Sequence, residues 1–528
     1  MADEKVNLGR SAGIVSIATA LSRVSGLVSI LFIAYALGPT RLQDSYNLAN
    51  VMPNMIYELI AGGILTSLLI PIFISGRLKD ETDGWRSVSN IANLTVLILV
   101  TIAILGTIFS YYFVRVQTFL VPTQEVSVAR LSFFFKFFVW EIVFYGITAI
   151  LNGILQSYRK FTMPALAPIF NNIVVIATIV FFYLPLKDSN PNLALIYLAT
   201  GTTLGIATMA LVQLPALLKV GWRYSFVLDF RDPALKQLAI LALPVVAYVA
   251  SNQIALTVSN ALAWKFKGGM TAFTYAWRFF QMPYGLLAAA ISTVLFPSFA
   301  EHAALANMKE FKKTLFKSFT TTGFIIIPTT VVLFILSSPI IVFIFVRVLG
   351  NFTISDAAQI AGVMAYLMAG LLPYSMFMLL NRVFYSLKDT VTPMKVNAIG
   401  VPLNIGLNFF LVGYFGVAGL AMGHSLTYLF TMSVLLLVLR KRIGPLNGRQ
   451  SMKKMLTFAL ISAAMGVMII ALMSIINSLN IPGKYLEFTM ITVSLVFAAI
   501  FYLLFNKALG TEEEKVLTKL TKSIFNRQ

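Results

Sequence analysis

The sequence predicts an all-α polytopic membrane protein, and three observations carry that prediction. Apolar stretches of about 20 residues, the length needed to cross a bilayer core, recur along almost the whole chain. Hydrophobic residues make up 58% of its 528 positions and charged residues only 11%, where a soluble domain carries about 25% charged. Lysine and arginine gather in alternate connectors, which orients such a chain in the membrane.

From the N-terminus, spans are expected near 13–37, 47–75, 88–114, 128–156, 161–186 and 191–217. The start, MADEKVNLGRSAG, leads into an apolar run too long for a signal-peptide core and interrupted by an arginine, so it reads as a retained first span. The polar connector KVGWRYSFVLDFRDPALKQ comes next, followed by spans near 237–262, 270–300, 315–346, 355–385, 391–413 and 416–439. Two more, near 455–477 and 485–506, precede a charged tail, TEEEKVLTKLTKSIFNRQ, that reads as a cytoplasmic helix. About 14 spans result. The expected division is an N-lobe over 1–217, a cytoplasmic connector over 218–236, a C-lobe over 237–440, two appended spans over 441–506 and a tail over 507–528.

An even number of spans places both termini on one side. With the N-terminus in the cytoplasm, the inside connectors hold Arg77, Lys79 and Arg86, then Lys309, Lys312 and Lys313, then Arg440, Lys441 and Arg442. An odd number would destroy that asymmetry.

The formal charge of +20 could suggest nucleic acid as a partner. The basic residues, however, sit in short connectors and form no aromatic-laced basic face, so no nucleic acid is expected. The chain has no cysteine, which excludes disulfides and thiolate chemistry. Its only histidines are His302 and His424, and no metal-ligand cluster, glycine-rich phosphate loop or nucleophile elbow accompanies them. The expectation is a protein that is not an enzyme and needs no cofactor or metal.

An internal repeat is visible in three anchors. Leu151-Asn152, Ser157, Arg159 and Pro164 recur as Leu380-Asn381, Ser386, Lys388 and Pro393. Leu198-Ala199, Gly201 and Thr203-Leu204 recur as Leu420-Ala421, Gly423 and Ser425-Leu426. The run from Thr66 to Pro71 resembles that from Ser292 to Pro297. Six spans separate the members of each pair, so the copies share one orientation. Two six-helix lobes in a parallel pseudo-repeat, with two C-terminal helices appended, account for this better than chance likeness between apolar helices.

A charge at the bilayer centre costs about 2.5–3.5 kcal/mol on insertion scales, so those retained there should face a cavity or a partner. The candidates are Arg23, Glu58, Arg130, Lys136, Glu141, Arg278 and Arg382, with Asp44 in the outer connector after span 1. Arg23 and Arg278 lie within the first spans of the two expected lobes, where a guanidinium could grip a phosphate or carboxylate in bidentate fashion. A structural ion pair with Glu58 or Asp44 is the alternative. Arg382 and Arg130 could equally snorkel to the interface, and Lys136 could pair with Glu141. Pro53, Gly62, Gly63 and Pro71, with Pro283, Gly285 and Pro297, could bend or closely pack helices, as alternating access requires. In span 12, His424 reads as a packed polar residue before a proton relay.

The segments LSRVSGLV (21–28), DSYNLANVMPNMIYELIAGGILTSLLIP (44–71), YAWRFFQMPYGLLAAAISTVLFPSFAEH (275–302) and NRVFYSLKDTVTPMKVN (381–397) resemble the MviN/MurJ family. That family comprises peptidoglycan lipid II flippases within the multidrug, oligosaccharidyl-lipid and polysaccharide exporter superfamily. The resemblance implies fourteen helices in a V-shaped pair of lobes, in the bacterial cytoplasmic membrane. It also implies a cationic cavity for the diphosphate-sugar head of a polyprenyl-linked precursor. Arg23, Asp44 and Arg278 match the family's charged positions in span 1, before span 2 and in span 8. Ser29, Tyr57-Glu58, Gly62 and Gln281 depart from its further arginines and acids, implying a less basic cavity. The expected function is translocation of lipid II to the outer leaflet by alternating access, by a monomer among membrane lipids, with cell-wall synthesis proteins as possible associates. A flippase for another polyprenyl-linked oligosaccharide is the alternative. A multidrug/cation antiporter fits less well, because it would want acidic rather than basic groups in its cavity.

Overall fold

A computed structural model of the chain describes residues 2–60, 81–121, 128–158, 160–232, 250, 253–446, 448–479 and 481–511. Every regular element among them is helical. Nine of these helices are long and apolar enough to cross a membrane, or ten when one bent pair counts as a single span. The expected spans 2 and 7 run into 61–80 and 233–249, outside the described residues. The chain is a multi-pass membrane protein that packs as two compact units, Met1–Met270 and Thr271–Gln528.

The first unit begins with α1 (Ala2–Leu37) and α2 (Arg41–Ile60). Gly38, at φ +61°, makes the left-handed turn between them. Next come α3 (Glu81–Ile108), α4 (Ser110–Gln117), α5 (Val128–Phe138) and α6 (Glu141–Ser157). α7 (Thr162–Thr178) runs on through a π turn at Ile179–Tyr183, and α8 (Pro191–Leu211), α9 (Leu214–Lys219) and a helix over 253–264, α10, complete the unit. The start of α8 is written locally: Asn190 caps the Leu193 N–H and Pro191 takes the first helical position. α1 and α8 both pack on α7, α2 on α5, and α3 on α6. At the centre, the Tyr46 hydroxyl bonds the Thr202 hydroxyl at 2.9 Å, and its ring stands edge-on to Phe134 and Phe138.

In the second unit, α11 (Gly269–Pro283) passes through a π turn at Tyr284–Ala288 into α12 (Ala289–Ala304). α13 (Met308–Ile335), capped by Asn307, ends at Leu336. A short α14 (Ser337–Ile341) and a π turn at Val342–Val348 follow, so the span expected over 315–346 is broken near its outer end. α15 (Ile354–Ala369) and α16 (Leu371–Ser386) meet at an angle of 46°. α17 (Val391–Phe415), α18 (Ala418–Ile443), α19 (Gly448–Ser478) and α20 (Gly483–Ala508) complete it.

The bend has a physical cause. At Gly370 the backbone N–H turns to the Leu367 carbonyl, and the Tyr366 carbonyl that a straight helix would use accepts the Ser425 hydroxyl at 2.7 Å instead. Gly370 admits Ser425 because a Cβ there would overlap that side chain. α19 and α20 are tied in by Phe324, Phe458 and Tyr502, the last donating its hydroxyl to the Phe324 carbonyl. The π turn after α14 is joined to the start of α20 by the Arg347 guanidinium on Glu487, at 2.7–3.1 Å.

The repeated segments have the same local structure in both copies. Ser157 donates to the Ile154 carbonyl at 2.6 Å and Ser386 to the Val383 carbonyl at 2.7 Å. The helix ends then close alike, with the Lys160 N–H on Leu155 O and the Asp389 N–H on Phe384 O. Gly201 lets α8 approach Thr178 of α7, as Gly423 lets α18 approach Asn408 of α17. Thr66 to Pro71, in the third anchor, lies outside the described residues.

Candidate functional site

Arg23 sits half-buried on α1, in the turn that docks that helix on α7. There the Asn172 amide donates to the Ser25 hydroxyl at 2.8 Å, and Ser25 donates to the Ser22 carbonyl. The helix register around the guanidinium is therefore fixed by side-chain bonds, which preorganises a charge better than packing of lipid-facing residues would. Ser29, one of the positions that depart from the family pattern, is buried.

Asp44 lies in the first turn of α2 and is completely buried. Its carboxylate accepts the Gly268 N–H at 2.8 Å, in the connector after α10, where Gly268 has φ +73°. Arg41, 3.9 Å from the same carboxylate, donates to the Trp264 carbonyl at 2.8 Å and lies over the Trp264 ring. These groups clasp two outer connectors together. The role visible for Asp44 is to hold the start of α2 against the end of α10.

Arg278 is exposed on α11, amid aromatic side chains that pack on other elements of its unit. Tyr275 stacks on Phe345, and Trp277 stacks on Phe280 and meets Tyr374 and His424 edge-on. Tyr284 and Tyr428 both pack on Tyr374. Pro283 ends α11 and Gly285 lies in the π turn that follows, a feature frequent at functional sites. Pro53 is buried inside α2. Gly62, Gly63 and Pro71 lie outside the described residues. Arg382 is half-buried near the cytoplasmic end of α16, beside the buried Asn381.

Two readings change. The pairing that Lys136 could have made with Glu141 does not form: Lys136 is exposed, while Glu141 is completely buried with neither carboxylate oxygen hydrogen-bonded among the described residues. Five residues of helix separate them by about 140° around the axis, and the helix breaks between α5 and α6. A buried polar group without partners costs about 1–3 kcal/mol, so Glu141→Leu should raise the thermal midpoint of the purified protein. A lowered midpoint would contradict the burial argument. The second change is an addition, the ring cluster around His424. His424 lies 4.9 Å from Trp277 and 4.6 Å from Tyr428, both edge-on. No local signal announces this cluster, because Trp277 and His424 come from helices far apart in the sequence.

At the cytoplasmic end of the second unit, Asp389 caps α17 through the Thr392 N–H and hydroxyl and pairs with Arg442 at the end of α18. Burial would raise its carboxyl, but the Thr392 bonds and the Arg442 guanidinium outweigh it and hold the group below the usual range. The stability this contributes is fully present above the unfolded value, about pH 4, and is lost as pH falls through the lower folded value. Asp389→Asn should therefore be less stable than the parent at neutral pH, with the gap closing on acidification below about pH 4. Thermal midpoints measured across that range check this, and parallel curves would contradict it.

A family model described as "Lipid II flippase MurJ" matches residues 33–492. The probable lipid II flippase MurJ of Buchnera aphidicola subsp. Acyrthosiphon pisum is 28% identical over 419 residues, covering 78% of this chain and 80% of the relative. The lipid II flippase MurJ of Burkholderia cenocepacia is 28% identical over 453 residues, covering 83% and 84%. Among solved structures, a lipid II flippase MurJ in an inward closed conformation superposes with a TM-score of 0.78 at 23% identity, over 94% of this chain and 99% of that one. An inward-facing multidrug resistance transporter of the MATE family superposes with 0.64 at 17% identity, over 82% and 99%. At these identities the superpositions show a shared fold.

Proposed function

Since the chain belongs to the lipid II flippase family MurJ, we propose that it carries lipid II from the cytoplasmic to the outer leaflet by alternating access, and that Arg23 and Arg278 hold the diphosphate. The observation that carries this reading is the family match across most of the chain, together with an arginine early in each unit, one of them on a helix whose register is locked by Ser25 and Asn172. Guanidinium groups suit a diphosphate because their paired N–H groups match its oxygens. The half-buried rings of Trp277 and Tyr284, near Arg278 along the chain, are of the kind that suits the sugar of the head group, and the polyprenyl tail stays in lipid. The protein is a transporter and makes or breaks no covalent bond in its substrate. The finer assignments, a monomer of six, six and two spans and Arg382 as a further contact, belong to the same proposal.

Reconstitution tests it. With fluorescent lipid II introduced into the outer leaflet alone, vesicles containing the purified chain should come to carry the labelled head group on both faces, whereas protein-free vesicles keep it on one. Equal exposure with and without protein would overturn the assignment.

A further inference from the structure

We propose that the cytoplasmic connector over 222–230 roofs a binding site for one anionic glycerophospholipid of the surrounding bilayer, whose acyl chain lies in a cleft between α3, α6 and α8.

The connector has no regular secondary structure, yet it is pinned to α3 by a ladder of side chains. The Asn93 amide donates to the carbonyls of Ser225 and Val227 at 3.2 and 3.0 Å and accepts the Tyr224 hydroxyl. The Ser89 hydroxyl accepts the Ser225 N–H. Asn90 exchanges two 2.8 Å bonds with the backbone of Asp229 and donates to the Asp232 carboxylate. Asn90 and Asn93, three residues apart, share one face of α3. They hold the chain extended, so that alternate side chains Trp222, Tyr224, Phe226 and Leu228 fall on one side.

Those four residues form one wall of a cleft of about 570 Å³. The remaining wall is apolar side chains such as Val96 and Val100 of α3, Phe144 and Ile147 of α6, and Leu211 of α8. The polar groups on it, Ser89 and Asn93, already spend their hydrogen bonds on the connector. What the cleft offers is hydrocarbon contact in a volume typical of ligand sites. The occupant is indicated by charge. At the connector, Lys219, Arg223 and Arg231 are exposed, and their side chains make no ion pair or hydrogen bond among the described residues. Asp229 accepts the Arg231 N–H and Asp232 accepts from Asn90, and three cations against these two acids leave the connector net positive. Phe226 and Phe230, 75% and 72% exposed, are aromatic groups of the kind that settle at the headgroup level. An apolar cleft beside unpaired cations at the cytoplasmic interface fits a lipid with an acyl chain and a negative head, each such cation contributing about 1 kcal/mol near an anionic surface.

Native mass spectrometry of the full chain, with phosphatidylglycerol and phosphatidylcholine of identical chains, tests this. The expected result is one phosphatidylglycerol retained at about tenfold lower concentration than phosphatidylcholine. K219A/R223A/R231A should bring the two lipids level, and Val96→Trp should abolish retention of both. Should Val96→Trp fail to fold, a phosphatidylglycerol with a mid-chain photoreactive group should label the unaltered protein within 88–100, 207–214 or 222–228. Equal retention of both lipids by the unaltered protein, labelling confined to other segments, or displacement by equimolar polyprenyl phosphate would each overturn the proposal.

Discussion

Arg278→Ala is expected to slow lipid II translocation in reconstituted vesicles by about tenfold to a hundredfold, and Arg23→Ala to do the same. Each replacement removes charge-assisted hydrogen bonds worth about 1.5–3 kcal/mol. Arg278 is exposed, so its loss should lower the thermal midpoint far less than it slows transport. That separation of transport from stability is what a substrate-holding role demands. Arg278→Lys should recover part of the rate, because an ammonium keeps the charge and loses the paired donors. Unaltered transport in both alanine variants would remove these two arginines from the site and leave the family assignment standing.

Gly419→Ala is expected to be the most destabilising single-methyl change in the second unit. A Cβ at Gly419 would meet the Leu411 carbonyl and come within 2.7 Å of the Val412 backbone nitrogen. These are backbone atoms, which cannot rotate away as the tip of a side chain can. Overpacking of this kind costs about 1–3 kcal/mol or more, read as a lower thermal midpoint. Gly406→Ala is the matched control. Nothing lies within 4 Å of its added methyl, and alanine is favoured over glycine in a helix by about 1 kcal/mol, so it should hold or raise the midpoint. Equal midpoints for the two variants would contradict the close approach of α17 and α18.

What was legible in the sequence follows from which forces act locally. Apolar run length is a property of short windows, so the helical membrane fold could be read directly. The repeat was legible for the same reason, and Ser157 and Ser386 show why: each bonds a carbonyl three residues back, a geometry that travels with its segment. The helix-capping role of Asp389 was also within reach, three residues before Thr392.

The rest depends on residues distant in sequence. Asp44 reads as a connector acid available to a ligand, but Gly268, 224 residues later, fills its coordination. Arg347 and Glu487 are 140 residues apart, and no periodicity announces their pairing. The bend at Gly370 requires Ser425 from another helix. Lys136 and Glu141 illustrate the converse, since proximity in sequence suggested a pair that helical geometry turns apart. At Arg23 and Arg278 the charge itself was the signal, because a guanidinium retained in an apolar span needs a reason.

Translocation of lipid II by this chain can be followed in cells that depend on it. After its depletion, lipid II is labelled from the outside with an impermeant reagent or cleaved by an externally added enzyme. Lipid II should then accumulate while its externally accessible fraction falls, and the parent chain should restore access. Accessible lipid II that stays constant through depletion would contradict this role.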